Sequence, residues 1–166
     1  MKIATWNVNG IRARHDQVHE WIAREHPDVV CLQEIKAAPE QVPPALFDLE
    51  GYWCCWHGGK GYSGVGLHVS KAFSPERPLF THPPFDFEHR IVQADLPGAT
   101  VASIYVPNGG KDFQAKMRFL EALHAHASAL QGAGTPVVFC GDLNITRTEL
   151  DVHPKERKPD AIGQLP

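Results

Sequence analysis

The stretch that most constrains this chain is Val137-Val138-Phe139-Cys140-Gly141-Asp142-Leu143-Asn144. Its opening apolar run shows no alternation and ends at a glycine, which reads as a short strand buried on both faces. Beyond Gly141, Asp142 and Asn144 stand two residues apart. In extended backbone such positions project to one side, so a carboxylate and a carboxamide leave the strand end together. The carboxylate can take a proton from water or hold a cation, and the amide can donate to developing negative charge. The same residues also describe an Asx turn that merely closes a strand.

Two other segments end in the same way. Lys2-Ile3-Ala4-Thr5-Trp6-Asn7-Val8-Asn9-Gly10 reads as a strand with a glycine turn, and Asp28-Val29-Val30-Cys31-Leu32-Gln33-Glu34 as a strand finishing in polar residues. In open α/β sheets, sites gather beyond such strand ends. Asn7, Glu34 and Asp142 offer hard oxygen ligands of the kind Mg²⁺ prefers, with Mn²⁺ as the alternative ion.

The length of 166 residues is enough for one domain with a core. Hydrophobic residues make up 43% and charged residues 21%, an ordinary globular balance. The net charge of −3 excludes a global basic footprint for nucleic acid, though not a local basic face. Cys31, Cys54, Cys55 and Cys140 show no zinc spacing and are expected to be reduced core thiols. Met1-Lys2 leads directly into a strand, so no signal peptide is expected. No apolar run approaches the ~20 residues of a membrane span. A cytoplasmic protein is the expectation.

The expected order of elements is mixed. A helix from His15 or Asp16 to Glu25 follows the first strand, with Val18, Trp21 and Ile22 on its apolar face, Asp16 as N-cap and Pro27 after its end. Residues 35–50, rich in Ala, Pro and Glu, read as a loop with a short helical turn. Tyr52–His57 and Val65–Val69 read as strands around a glycine loop. The loop's glycines serve a hairpin turn, or else its bare N–H groups, Lys60 and Tyr62 face a phosphate backbone. It lacks the GxxxxGK[ST] pattern, so it is no nucleotide P-loop. Residues 71–87 read as irregular. Ile91–Leu96 and Thr100–Val106 form a meander, which argues against a simple Rossmann fold. Asp112 caps a helix from Phe113 to Leu130, whose expected core stripe is Phe113, Met117, Leu120, Leu123 or His124, Ala127 and Leu130. Beyond Asn144 the chain is polar and reads as solvated loop.

Taken together, these residues suit metal-assisted hydrolysis of a phosphate ester. Glu34 with Asn7 would bind Mg²⁺, and Asp142 would orient or deprotonate water. Asn144, Tyr105 and Asn108 would hold the scissile phosphate. No Ser–His–Asp order, cofactor fingerprint or thiolate site competes.

Six motifs then occur in order: Thr5-Trp6-Asn7-Val8-Asn9-Gly10-Ile11-Arg12-Ala13, Leu32-Gln33-Glu34, Gly61-Tyr62-Ser63-Gly64-Val65-Gly66, Tyr105-Val106-Pro107-Asn108-Gly109, Gly141-Asp142-Leu143-Asn144 and Glu149-Leu150-Asp151-Val152. Together they resemble the exonuclease III family of DNA-repair nucleases, in the endonuclease/exonuclease/phosphatase superfamily. The resemblance covers the N-terminal two thirds of that pattern. It implies a four-layer α/β-sandwich of the deoxyribonuclease I type, here a single domain over residues 1–166 with its C-terminal part missing. It also implies Mg²⁺-dependent cleavage of double-stranded DNA at abasic sites or 3′ ends, by a protein that is a monomer when complete.

The resemblance places Tyr105, Asp142, Asn144 and Lys116 in catalysis, the last through Phe113-Gln114-Ala115-Lys116. It puts Arg12, Tyr62, Arg90 and Asn108 at the substrate, to which the reading of the glycine loop adds Lys60. Arg12, Lys60, Tyr62 and Lys116 are expected on one DNA-facing side. In Glu88-His89-Arg90, histidine stands where relatives often carry glycine. The family's later second aspartate and Ser-Asp-His motif, whose histidine contacts the scissile phosphate, do not occur in these residues. The expectation is therefore that the chain alone is inactive and that half its inner sheet surface lacks a partner. Two readings stand beside this one: an inositol-phosphate or lipid phosphodiesterase of the same superfamily, and a non-catalytic DNA-binding fragment.

Overall fold

Alternation along the strands sorts the apolar residues into three separate cores in the computed structural model, which describes residues 1–158 and 161–164. The elements are β1 (Ile3–Asn7), α1 (Ile11–Glu25), β2 (Val29–Gln33), α2 (Pro44–Phe47), β3 (Tyr52–His57), β4 (Val65–Ser70), β5 (Phe80–Thr81), β6 (Ile91–Leu96), β7 (Ala99–Tyr105), α3 (Phe113–Gly132) and β8 (Val137–Asp142). Two four-stranded sheets form, in the orders β1-β2-β4-β3 and β5-β6-β7-β8. The pairs β1–β2 and β7–β8 are parallel. The remaining neighbours are antiparallel.

On β2, Val30 and Leu32 face outward and pack with Ile11, Val18 and Ile22 of α1 and Leu46 of α2. Val29 and Cys31 face inward and meet Val65, Leu67 and Val69 of the same sheet and Val92, Ala94 and Val101 of the other. Ala102 and Ile104 of β7 face outward onto Phe119 of α3. The layers are therefore helix, sheet, sheet, helix, as expected. Inner faces of stacked sheets interdigitate in this way.

A polar thread runs through the middle core. Buried Gln33 donates to Ser103 Oγ at 3.1 Å, and Ser103 donates to the Leu32 carbonyl at 3.1 Å. Each buried group is thus satisfied across the sheet interface.

Several expectations change. Helix α1 starts at Ile11, with Gly10 rather than Asp16 as its N-cap. The cause is tertiary: Ile11 is fully buried, and the Gly10 and Ile11 N–H groups donate to the carbonyls of Glu34 and Ile35. Residues 71–87 contain the short strand β5. The stripe of α3 is rotated: Lys116 and Phe119 are buried, while Phe113 and His124 are exposed. Asp112 does cap it, accepting from the Ala115 N–H at 2.8 Å.

Strand β8 is only half-buried throughout, because it is an edge strand with one neighbour. The inner faces of the central strands cover one another, so half the inner sheet surface is not bare among the described residues. The thinner cover lies on the edge strands β1, β3, β5 and β8. The four cysteines are free.

The outer core holds one misfit. His68 is fully buried against Trp56, with ring centroids 4.4 Å apart and no hydrogen-bond partner on either nitrogen among the described residues. Burial pushes its pKa down to about 3, against a small opposing effect from the Leu67 backbone. The folded state therefore excludes a proton that the unfolded chain takes up near pH 6.5. The stability this represents is full above pH 6.5 and is lost as pH falls from there toward 3. Between pH 7 and 5 the loss is about 2 kcal/mol, from 1.36 kcal/mol per pH unit. His68→Leu removes this slope, so urea titrations at the two pH values should converge. A slope that survives the substitution assigns the acid sensitivity elsewhere.

Candidate active site

Parallel pairing brings four strand ends to one place. Asn7 ends β1 beside Gln33 of β2, and Tyr105 ends β7 beside Asp142 of β8. Asn7 spans the two sheets: its Nδ2 donates at 2.8 Å to Glu34 Oε1 and at 2.8 Å to Asp142 Oδ2. Its Oδ1 accepts from the Asn9 N–H at 3.1 Å. One amide thus holds together carboxylates more than a hundred residues apart in sequence.

Glu34 follows β2 in the left-handed region, at φ 53°. Its Oε2 receives Lys36 Nζ at 2.8 Å, and the Tyr105 hydroxyl lies beside its carboxylate. Partial burial opposes its ionisation. The hydrogen bonds from Asn7 and Lys36, the Lys36 charge and the nearby Tyr105 hydroxyl outweigh that and hold its pKa below the ordinary carboxylate value. The same neighbourhood raises Tyr105 to about 12, first through burial and then through the Glu34 charge. Tyr105 is therefore a phenol donor at neutral pH.

Asp142 is fixed at both oxygens, Oδ2 by Asn7 and Oδ1 by the Asn144 N–H at 3.0 Å. This is the Asx-turn geometry that the sequence also allowed, and it leaves the carboxylate at the mouth of the site. Gly141 is needed just before it. Its φ is 150°, and a Cβ there would overlap the Ile104 carbonyl. Asn144 spends one amide N–H on the Val106 carbonyl, at 2.8 Å.

Lys116 is buried rather than part of an exposed DNA-facing side. Its Nζ donates to the Asn144 carbonyl at 2.6 Å and lies 3.5 Å from that of Asn108. Burial lowers its pKa, with the Asp142 charge opposing. It acts on the site through the backbone of Asn144.

Arg90 is likewise buried. It pairs with Glu88 at 2.7 Å, donates to the Tyr62 hydroxyl at 2.9 Å and lies over the Tyr105 ring at 4.8 Å. It braces two tyrosines and does not project as a free cation. Its neighbour His89, where relatives often carry glycine, sits at φ 57°, in the left-handed region that glycine enters most readily and histidine more often than most residues.

Tyr62, Arg90, Tyr105 and Asn108 line one cavity of about 520 Å³, with Phe87 and Arg118 among the other residues. A shallower opening of about 500 Å³ is lined by Asp142 and Asn144. Arg12 and Lys60 are exposed and line neither cavity. Lys111 also lines the first cavity, 5.9 Å from the Tyr62 ring, and was not singled out from sequence. Its position after Pro107-Asn108-Gly109-Gly110 was the available signal. Also missed was a meeting of His57, His82 and Asp86, whose ligand atoms lie within 4.8 Å of one another.

The sequence profile of the Endonuclease/Exonuclease/phosphatase family matches residues 4–162. The chain belongs to this family. It is similar to exodeoxyribonuclease III of Haemophilus influenzae, with 34% identity over 92% of this chain and 60% of that protein. Recombination repair protein 1 of Drosophila melanogaster is 33% identical over 97% of this chain and 24% of its own length. Among solved structures, an AP endonuclease from Archaeoglobus fulgidus superposes with a TM-score of 0.82 and 32% identity, over 98% of this chain and 65% of that one. The chain thus spans less than two thirds of each of these relatives. As a member of the family it carries the mixed α/β architecture of its structural neighbours.

The donor set at the strand ends consists of two carboxylates and a carboxamide, all oxygen ligands, which suits Mg²⁺. Glu34 and Asp142 are the residues to hold such an ion, with Lys36 already balancing part of the charge.

Proposed function

We propose that this family member hydrolyses phosphodiesters of double-stranded DNA, at abasic sites or 3′ ends, with Mg²⁺ at Glu34. The observation that carries the reading is the Asn7 amide joining Glu34 and Asp142 across the sheets, with Tyr105 beside Glu34. The names of the relatives, exodeoxyribonuclease III and AP endonuclease, support DNA as substrate.

Bound Mg²⁺ supplies charge neutralisation at a phosphate oxygen and at the leaving alkoxide. Asp142, pinned by Asn7 and Asn144, orients water and accepts its proton. Tyr105, held as a phenol with a single O–H, turns that hydrogen from Glu34 toward the phosphate when substrate is bound. Asn108 and Asn144 present amides beside it, and Lys116 holds the Asn144 backbone. Arg12, Lys60, Tyr62 and Lys111 form the DNA-facing side, with Arg90 beneath Tyr62. No helix among the described residues is long and apolar enough to cross a membrane. We place the protein in the cytoplasm, as a monomer when joined to the remaining part of the fold.

The experiment is metal-dependent nicking of a duplex with a single abasic site. Residues 1–166 contain no Ser-Asp-His sequence, so the chain alone should nick no more than metal without protein. Fused in cis to the C-terminal portion of the Haemophilus relative, it should nick with Mg²⁺ and not with EDTA. Hydrolysis of an inositol phosphate in place of DNA by the fusion would overturn the substrate. Robust turnover by the monodisperse chain alone would show that a histidine already present, such as His57 or His153, fills the missing role; His68, the third candidate by sequence, is buried against Trp56 and is not available for it.

A further inference from the structure

We infer that His57, His82 and Asp86 form a second cation site, one for a nitrogen-preferring divalent ion such as Zn²⁺. It shares no residue with the Glu34–Asp142 pair. The three side chains come from separate segments: the end of β3, the residue after β5, and the loop before β6. Their ligand atoms all lie within 4.8 Å of one another.

His82 and Asp86 are each oriented by an outer partner, as metal ligands commonly are. The Ile91 carbonyl lies 3.1 Å from His82 Nδ1. A carbonyl only accepts, so Nδ1 carries the proton and Nε2 keeps its lone pair. Asp86 Oδ1 accepts the N–H groups of Arg90 at 2.7 Å and Ile91 at 3.0 Å. That leaves Oδ2, which pairs with His57 Nε2. The His57 ring stacks on His82 at 3.7 Å, and His89 stands edge-on to it at 4.8 Å.

Two imidazoles and one carboxylate favour zinc-like ions over Mg²⁺, which prefers an all-oxygen shell. Ligand atoms around tetrahedral zinc stand about 3.4 Å apart, from bonds of about 2.0–2.1 Å. On binding, exposed His82 therefore moves inward by up to about 1.4 Å, while the hydrogen-bonded His57 and Asp86 part to admit the ion. Ligation through His57 Nε2 needs that nitrogen bare, so in the bound form the neutral ring carries its proton on Nδ1 and Asp86 Oδ2 turns to the ion.

The location gives the ion a consequence. Asp86 holds the backbone of Arg90, and Arg90 holds the Tyr62 hydroxyl and lies over Tyr105. An ion that ties Asp86 to β3 and β5 fixes the loop on which Arg90 rides. The site is thus a brace behind the tyrosines, and its occupancy is read without reference to hydrolysis.

The test is equilibrium dialysis of the 166-residue chain against Zn²⁺ in a large excess of Mg²⁺, with Co²⁺ absorption as a spectroscopic check. One equivalent of Zn²⁺ should be retained. His82→Gln and His57→Gln should each weaken it at least 10–100-fold, the loss that even an outer partner causes; thermal melts confirm that both variants fold. Glu34→Gln should leave it unchanged. So should His19→Gln, which removes an exposed histidine of α1, and thiol blocking, which silences the cysteines. No retained Zn²⁺, retention by His82→Gln equal to wild type, or loss on thiol blocking would each overturn the site.

Discussion

Asp142→Asn lowers turnover at least ~10²-fold in a nicking-competent form of the protein, the magnitude associated with a general base. The substitution is isosteric and removes only the charge and the proton-accepting oxygen. Asn144 can still donate its N–H to Oδ1 at position 142, so the turn is kept. The new amide faces Asn7 Nδ2, which now meets a donor where it met Oδ2. One hydrogen bond is lost, costing about 1 kcal/mol, because a flip of Asn7 would forfeit its bonds to Glu34 and to the Asn9 N–H. Folding therefore survives, and DNA binding is retained because no cation is touched. Single-turnover rates and a thermal melt of the same preparation separate the two effects. Normal cleavage by the variant would reduce Asp142 to a turn residue, the alternative that its Asx geometry keeps open.

Glu34→Gln should cut both Mg²⁺ affinity and turnover sharply, with partial recovery at high Mg²⁺. Glutamine keeps the acceptor for Asn7, but it removes the charge that Lys36 and Tyr105 converge on. The Lys36 ammonium then offsets the Asp142 carboxylate, so the site loses its net negative charge and its pull on a cation. Titration calorimetry with Mg²⁺ measures the affinity, and the Mg²⁺ dependence of nicking measures the rescue. A variant whose Mg²⁺ dependence matched the wild type would remove Glu34 from the metal site.

Position in the sequence does not rank these residues by role. Glu34, Asp142 and Tyr105 were legible because each ends or follows an apolar strand, where a polar residue has no packing reason to stand. Arg90 and Lys116 were legible as cations but not as buried ones. A cation's burial depends on acceptors arriving from elsewhere in the chain: Glu88 and Tyr62 for Arg90, and the carbonyls of Asn144 and Asn108 for Lys116. His57, His82 and Asp86 carried no joint signal, since each alone is an ordinary polar residue in or beside a loop.

By itself the sequence determined the strands, the long capped helix and the polar strand ends, because apolar periodicity and capping chemistry act over a few residues. It also carried, through ordered motifs, the family to which the chain belongs. Only the tertiary structure decided that α1 begins at Ile11, that β8 is a half-buried edge, and that one asparagine joins two carboxylates across the sandwich. Those outcomes depend on which strands become neighbours. That is set by the packing of two sheets and two helical layers, and no local stretch of residues encodes it.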